Sequence, residues 1–143
     1  MRFKTQRKIE WGDCDSAGIV YYPNYFRWMD QAFHELALAE GFNQRRLSDE
    51  YGLLGTPLVG AGGDFTSPAS YGDMMDIYAW FTHLGRSSMR LGYRLEVDGR
   101  VIVEGHEKRV FGKGGAAGLQ TVEIPPDLRP GMEQYLEPQT AAK

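Results

Sequence analysis

The chain has 143 residues, 42% of them hydrophobic and 13% aromatic, with a net charge of −3. That length suits one domain with a sizeable core. Nothing in the slightly acidic balance suggests nucleic-acid binding, and Arg45-Arg46 is too short to be a basic patch. Cys14 is the only cysteine, so neither an intrachain disulfide framework nor a cysteine-rich zinc site is available. No apolar run approaches the roughly 18 residues of a membrane span. The amino terminus carries no apolar signal segment, and the chain reads as a soluble cytoplasmic protein.

Phe3, Thr5, Arg7, Ile9 and Trp11 alternate with Lys4, Gln6, Lys8 and Glu10, and this period of two predicts a first strand. A tight Gly-bounded loop follows. A long helix is then expected from Pro23 to Glu40, with Gly41 ending it. Pro suits the first helical position because its fixed φ fits and its missing N–H is not needed there. Phe26, Met29, Phe33, Leu36 and Ala37 recur at helical spacing and form one apolar face. Gln44 to Tyr51 reads as a short helix. Leu58 to Thr66 is a small-residue strand, in which Gly60, Gly62 and Gly63 permit close approach of another element. Met75 to Leu84 is an aromatic-rich strand, and Met89 to Val97 alternates cleanly. Asp98-Gly99 signals a two-residue hairpin, after which Val101 to Phe111 returns. Gly112 to Gly118 reads as a flexible loop and Leu119 to Ile124 as a last strand. Pro125-Pro126 precede a short helix reaching Tyr135. One strand, one long helix and several antiparallel strands make an α+β pattern. The domain covers residues 1–137, with a disordered tail at 138–143.

The candidate chemistry lies in the loop before the long helix. Free N–H groups at a helix amino end attract anions and developing oxyanions. The loop delivers a carboxylate to that end, a combination suited to acyl transfer. Asp15 is the strongest candidate, able to attack a carbonyl or take a proton from water. Asp13 reads as a turn-forming Asx side chain. Cys14, between two acids, is disfavoured as a thiolate and reads as structural. The oxyanion donor is a backbone N–H from Gly18 to Tyr22, since Pro23 has none. Asp30 sits at the edge of the helix's apolar face. It either pairs with His34, four residues on, or accepts a hydrogen bond from a ligand. His34, His83 and His106 show no metal spacing. Gly112-Lys113-Gly114 is not a phosphate-binding P-loop.

The run Gly12-Asp13-Cys14-Asp15-Ser16-Ala17-Gly18-Ile19-Val20-Tyr21-Tyr22-Pro23-Asn24-Tyr25 resembles the signature of the 4-hydroxybenzoyl-CoA thioesterase family of hotdog-fold enzymes. It departs at Ser16, where the family has Pro. Gly55-Thr56-Pro57-Leu58-Val59, Asp64-Phe65-Thr66, Ala69-Ser70-Tyr71 and Arg109-Val110-Phe111 also look like the family. The resemblance implies a hotdog domain, in which a curved antiparallel sheet wraps one long helix. It implies that Asp15 is the catalytic carboxylate, as nucleophile or general base. It selects the Tyr22 amide as oxyanion donor, with the Tyr21 and Tyr22 side chains near the acyl group. It associates Asp30 with the ring hydroxyl of the substrate.

Arg86, Ser87 and Ser88 match a family segment that is more basic, where CoA phosphates are expected. Arg90, Arg94, Lys108, Arg109 and Lys113 are further options. The implied substrate is an aromatic acyl-CoA, 4-hydroxybenzoyl-CoA or a relative, and no metal or redox cofactor is called for. The implied assembly is a homotetramer, a dimer of dimers with CoA at subunit boundaries, without nucleic acid or membrane as partner. Three alternatives remain open. One is a thioesterase for short or branched aliphatic acyl-CoA or acyl carrier protein thioesters. Another is a hotdog hydratase or dehydratase, usually needing a His acid–base partner. The last is an acyl-CoA-binding protein without turnover. Glu35 or Glu40, matching the helical Glu of another hotdog branch, ranks below Asp15.

Overall fold

The fold is that of a computed structural model, described over residues 1–138. Of the tail expected at 138–143, all but Pro138 therefore lies outside the described residues. The elements are β1 (Phe3–Lys8), a 3-10 turn (Trp11–Asp13), α1 (Pro23–Ala39), α2 (Gln44–Tyr51), β2 (Leu58–Phe65), β3 (Met74–Leu84), β4 (Ser88–Val97), β5 (Arg100–Val110), β6 (Gly112–Gly115), β7 (Gly118–Thr121) and α3 (Arg129–Glu133). The main sheet has the order β1-β3-β4-β5-β2, with every neighbouring pair antiparallel. β6 and β7 form a separate hairpin.

Helix α1 lies across one face of the sheet. Its stripe of Tyr25, Trp28, Met29, Ala32, Phe33, Leu36 and Ala37 is buried. It packs into one cluster with the inward side chains of β3 (Met75, Ile77, Ala79, Phe81) and β4 (Met89, Leu91, Tyr93, Leu95). A stripe of this width, not helix propensity, holds the helix in place; truncating one fully buried Phe such as Phe33 typically costs about 3–5 kcal/mol. Met29 of the helix packs against Gly105 of β5. A Cβ there would overlap Met29 Sδ. Asp98 (φ 49°) and Gly99 (φ 78°) are both left-handed, as the two-residue β4–β5 turn requires.

Three expectations need correction. The first strand stops at Lys8, because the Asp13 carboxylate accepts the Glu10 N–H (2.9 Å) and draws the chain into the 3-10 turn, leaving Trp11 exposed. The glycine-rich stretch from Gly112 is a hairpin, not a loop. Gly112 pairs with Thr121 and Gly115 with Gly118, whose φ of 102° suits glycine alone. The strand expected over Leu119–Ile124 accordingly ends at Thr121.

The two edges of the sheet differ. β1 carries Lys4, Arg7 and Lys8, charges that discourage edge-to-edge pairing. β2 bonds only to β5, is exposed along most of its length, and presents Leu58, Val59 and Phe65 with Gly between them. Among the described residues no helix is long and apolar enough to cross a membrane. The contact at Gly105 predicts that Gly105→Ala lowers stability by about 1–3 kcal/mol through overpacking against the fully buried Met29. Chemical denaturation measures this directly, and an unchanged midpoint would contradict the packing.

Candidate active site

The loop between β1 and α1 is built from its own backbone. Cys14 and Val20 form an antiparallel bridge, closed by Asp15 N–H to the Ile19 carbonyl (2.9 Å) and Gly18 N–H to the Asp15 carbonyl (3.0 Å). Gly18 permits this turn with φ 79°. Val20 N–H reaches the Ala69 carbonyl and Tyr21 N–H the Asp13 carbonyl, each at 2.9 Å. Asn24 Nδ2 donates to the same Asp13 carbonyl (2.9 Å), tying the loop to α1. Asp13 is the structural acid expected: it receives the Glu10 N–H and lies 3.6 Å from Arg27. Cys14 donates to the Glu10 carbonyl (3.6 Å); burial, then Asp13 and Asp15, push its thiol above its ordinary pKa, which keeps it unreactive.

Asp15 is exposed, and its Oδ1 accepts the Ala17 N–H (2.9 Å), an Asx turn that leaves Oδ2 without a partner among the described residues. Tyr22 stands at the N-cap of α1, immediately before Pro23. Its carbonyl accepts the Tyr25 N–H (3.1 Å), while its own N–H has no acceptor among the described residues. The amino end of a helix of 17 residues therefore presents a free donor.

Beside that donor is a cleft of about 560 Å³ lined by Ile19, Val20, Tyr22, Tyr25, Phe65, Thr66, Ser67 and Pro68. Its walls are aromatic. The Phe65 ring lies 6.1 Å from Tyr22, 5.8 Å from Tyr25 and 6.0 Å from Phe26, centroid to centroid. Tyr21 packs edge-on against Tyr22 at 5.7 Å.

Asp30 does not line this cleft. It opens on a second cavity of about 340 Å³, with His34, Gln44, Leu54, Thr56, Pro57, Leu58 and Arg109. The pairing with His34 is present (Nε2 to Oδ1, 3.4 Å), but the stronger partner is Arg109, whose Nη2 donates to Asp30 Oδ1 at 2.6 Å. Arg109 is 3% exposed. Its Nε donates to Glu107 Oε1 (3.1 Å), its Nη2 also to Glu107 Oε2 (3.2 Å), and its Nη1 to the Thr56 carbonyl (3.2 Å). Its guanidinium stacks on Phe33 at 4.2 Å. The Tyr93 hydroxyl donates to Glu107 Oε1 (2.5 Å). Burial would lower the Arg109 pKa, but the charges of Glu107 and Asp30 outweigh it and hold it above its ordinary value. Burial, and then Glu107, push the Tyr93 hydroxyl well above its ordinary value.

The remaining candidates are not gathered at either cavity. Arg86, Ser87 and Ser88 form the β3–β4 turn, where Arg86 is exposed and 3.8 Å from Glu123. Glu35 is held by Arg7 at 2.6 Å, and Glu40 accepts the Tyr135 hydroxyl at 2.9 Å. Sequence reasoning missed Phe65 as a cleft wall and the Tyr93–Glu107–Arg109 cluster. A signal for the latter existed. Val103, Gly105, Glu107 and Arg109 share one parity of β5, so two charges stand on the core-facing side.

A sheet packed on one long helix, with a carboxylate-bearing loop at the helix's amino end, is the hotdog plan of thioester hydrolases. The chain belongs to the thioesterase superfamily, whose family model matches residues 17–104. It is 34% identical over 128 residues to the 4-hydroxybenzoyl-CoA thioesterase of Pseudomonas sp. (strain CBS-3), covering 85% of this chain and 91% of that protein. The solved structure of that enzyme superposes with a TM-score of 0.84 at 32% identity, covering 91% of this chain and 98% of that one. A gentisyl-coenzyme A thioesterase superposes with a TM-score of 0.77 at 35% identity, over 91% of this chain and 98% of that one. The 1,4-dihydroxy-2-naphthoyl-CoA hydrolase of Synechococcus elongatus (strain ATCC 33912 / PCC 7942 / FACHB-805) is 33% identical over 93 residues, 65% of this chain and 68% of that protein.

The buried ion pair has a stability consequence. Arg109→Met strands the Glu107 carboxylate, 3% exposed, without its cation. Loss of one partner of a buried pair costs about 3–5 kcal/mol, so thermal and denaturant unfolding should both shift by that amount. A shift below 1 kcal/mol, typical of an exposed pair, would contradict the cluster.

Proposed function

We propose that this thioester hydrolase acts on an aromatic acyl-CoA bearing a ring hydroxyl, 4-hydroxybenzoyl-CoA or a close relative, releasing the free acid and CoA. The observation that carries the reading is the free Tyr22 N–H at the amino end of α1, beside an aromatic cleft and the Asp15 loop. The thioester carbonyl oxygen accepts that N–H, whose alignment with the helix dipole stabilises the oxyanion. Asp15 supplies the carboxylate, as nucleophile or as general base toward water. The cleft's flat walls suit an aryl ring. Asp30 accepts the ring hydroxyl. The three relatives named above act on 4-hydroxybenzoyl, gentisyl and 1,4-dihydroxy-2-naphthoyl thioesters, as their names state, which supports a hydroxylated aromatic group over an aliphatic one. The hydratase reading loses support, because His34 is engaged with Asp30 while His83 and His106 are exposed on β3 and β5.

The reading also requires a second copy of the chain. Asp30 and Tyr22 line different cavities, near opposite ends of β2: Leu58 borders the first and Phe65 the second. Seven residues of strand separate those ends by about 23 Å. β2 is the sheet edge with a single charge, Asp64, and no lysine or arginine. Antiparallel pairing of two such edges, centred between Ala61 and Gly62, sets Leu58 of one copy opposite Phe65 of the other. The Asp30 cavity of one copy then adjoins the Tyr22 cleft of its neighbour. Two such dimers form the tetramer, and Arg86 with Ser87 and Ser88 meets the CoA phosphates at the rim.

Thiol release from 4-hydroxybenzoyl-, benzoyl-, phenylacetyl- and butanoyl-CoA under one set of conditions tests the substrate class, with the hydroxylated thioester expected first in kcat/KM. Asp15→Asn keeps the turn-forming oxygen and removes the charge. It should lower kcat on that substrate by about 10²–10⁴ with the fold intact. A folded Asp15→Asn protein turning over at the wild-type rate would exclude the mechanism, and first rank for butanoyl-CoA would exclude the substrate class.

A further inference from the structure

Arg109 entered the sequence reading only as one of several basic residues for a phosphate. Its surroundings assign it other work. Four of its N–H donors are already engaged, by Glu107 twice, by the Thr56 carbonyl and by Asp30. Phe33 covers one face of the guanidinium. Glu107 is itself fixed by the Tyr93 hydroxyl. The cation is therefore held from several directions within the protein, and the side-chain partner it holds at the cavity is Asp30, whose side chain is half exposed.

We propose that Arg109 is a positioning residue for substrate selection: anchored by Glu107, Thr56 and Phe33, it fixes Asp30 as an acceptor that reads a hydrogen-bond donor on the acyl ring. This inference rests on the reading of Asp30 given above. Both Arg109 and His34 bind the same oxygen, Oδ1, at 2.6 and 3.4 Å. Asp30 Oδ2 has no partner among the described residues, and it belongs to a residue lining the 340 Å³ cavity. A carboxylate accepts hydrogen bonds and donates none. The cavity therefore selects a ring substituent that donates. A hydroxyl qualifies and so does an amino group; a ring carbon bearing only hydrogen does not. Without Arg109, Asp30 has only His34, and a short side chain on a helix surface returns to several rotamers. The recognition oxygen then spends little time in place.

The test compares kcat and KM for 4-hydroxybenzoyl-, 4-aminobenzoyl- and benzoyl-CoA in the full-length wild type, Arg109→Met, Arg109→Lys and Asp30→Ala. The ratio of kcat/KM for two thioesters on one preparation does not depend on how much of it is folded, so an unstable variant still reports. Arg109→Met should raise KM for the hydroxy and amino thioesters about tenfold more than KM for benzoyl-CoA, the loss expected for one misplaced charge-assisted hydrogen bond. Arg109→Lys keeps the charge and should recover part of the preference. An equal loss on all three thioesters would show a purely structural role and overturn the inference. An unchanged preference in Arg109→Met, with the preference abolished in Asp30→Ala, would overturn the inference and leave the Asp30 reading standing. An unchanged preference in Asp30→Ala would overturn both.

Discussion

Burial of the α1 stripe against β3, β4 and β5 is the constraint on which the rest depends. It makes the helix a rigid rod about 25 Å long, with Met29 seated against Gly105. Everything proposed for catalysis is referenced to that rod. The Tyr22 N–H is the donor left over at its amino end, and Asp30 stands eight residues further along. The loop carrying Asp15 is bolted to the same end through Asn24 and to the sheet side through Ala69. A loop alone would place a carboxylate loosely. A loop bridged at Cys14–Val20 and hydrogen-bonded to a buried helix places it firmly. Preorganisation of this kind is what lets a backbone N–H stabilise an oxyanion without reorganising during the reaction.

The electrostatics divide into two regimes. Asp15 is exposed and makes one local hydrogen bond, so its carboxylate is free to act. Asp30, by contrast, is tied to a buried cluster of Glu107, Arg109 and Tyr93, where two carboxylates share one guanidinium. Such a cluster is an expensive way to gain stability, since well-packed apolar side chains of similar volume often do as well. Its position beside a cavity supplies a reason for it.

Much of this was legible in the sequence, for physical reasons that differ by residue. The helix could be read because its stripe is wide and Pro23 and Gly41 bracket it. The β4–β5 hairpin could be read because Asp-Gly is among the few pairs that tolerate two left-handed residues. Asp13 and Cys14 make the local bonds that their spacing suggested, and Asp15 closes an Asx turn in the same loop. The first strand was drawn too long because alternation continues through Trp11, while a single side-chain bond from Asp13 ends the strand earlier. The β6–β7 hairpin was hidden by glycine, whose presence signals freedom without saying how it is used. The Asp30 partner was hidden because Arg109 is 79 residues away, and only the parity of β5 betrays two charges facing inward. The separation of Asp30 from Tyr22 into two cavities is a property of the sheet edge, and no local pattern encodes it.

The central claim is that one working site takes Asp15 from one copy and Asp30 from another, and subunit complementation tests it most directly. Asp15→Asn and Asp30→Ala chains, each weak on 4-hydroxybenzoyl-CoA, are mixed, exchanged and reassembled. In a mixed dimer one of the two sites regains both carboxylates. Random pairing then restores about a quarter of the wild-type turnover. If both residues serve the same copy's site, no mixed dimer contains an intact pair, and the mixture performs as the average of its parents. That average, measured on a mixture shown to contain mixed dimers, would contradict the account.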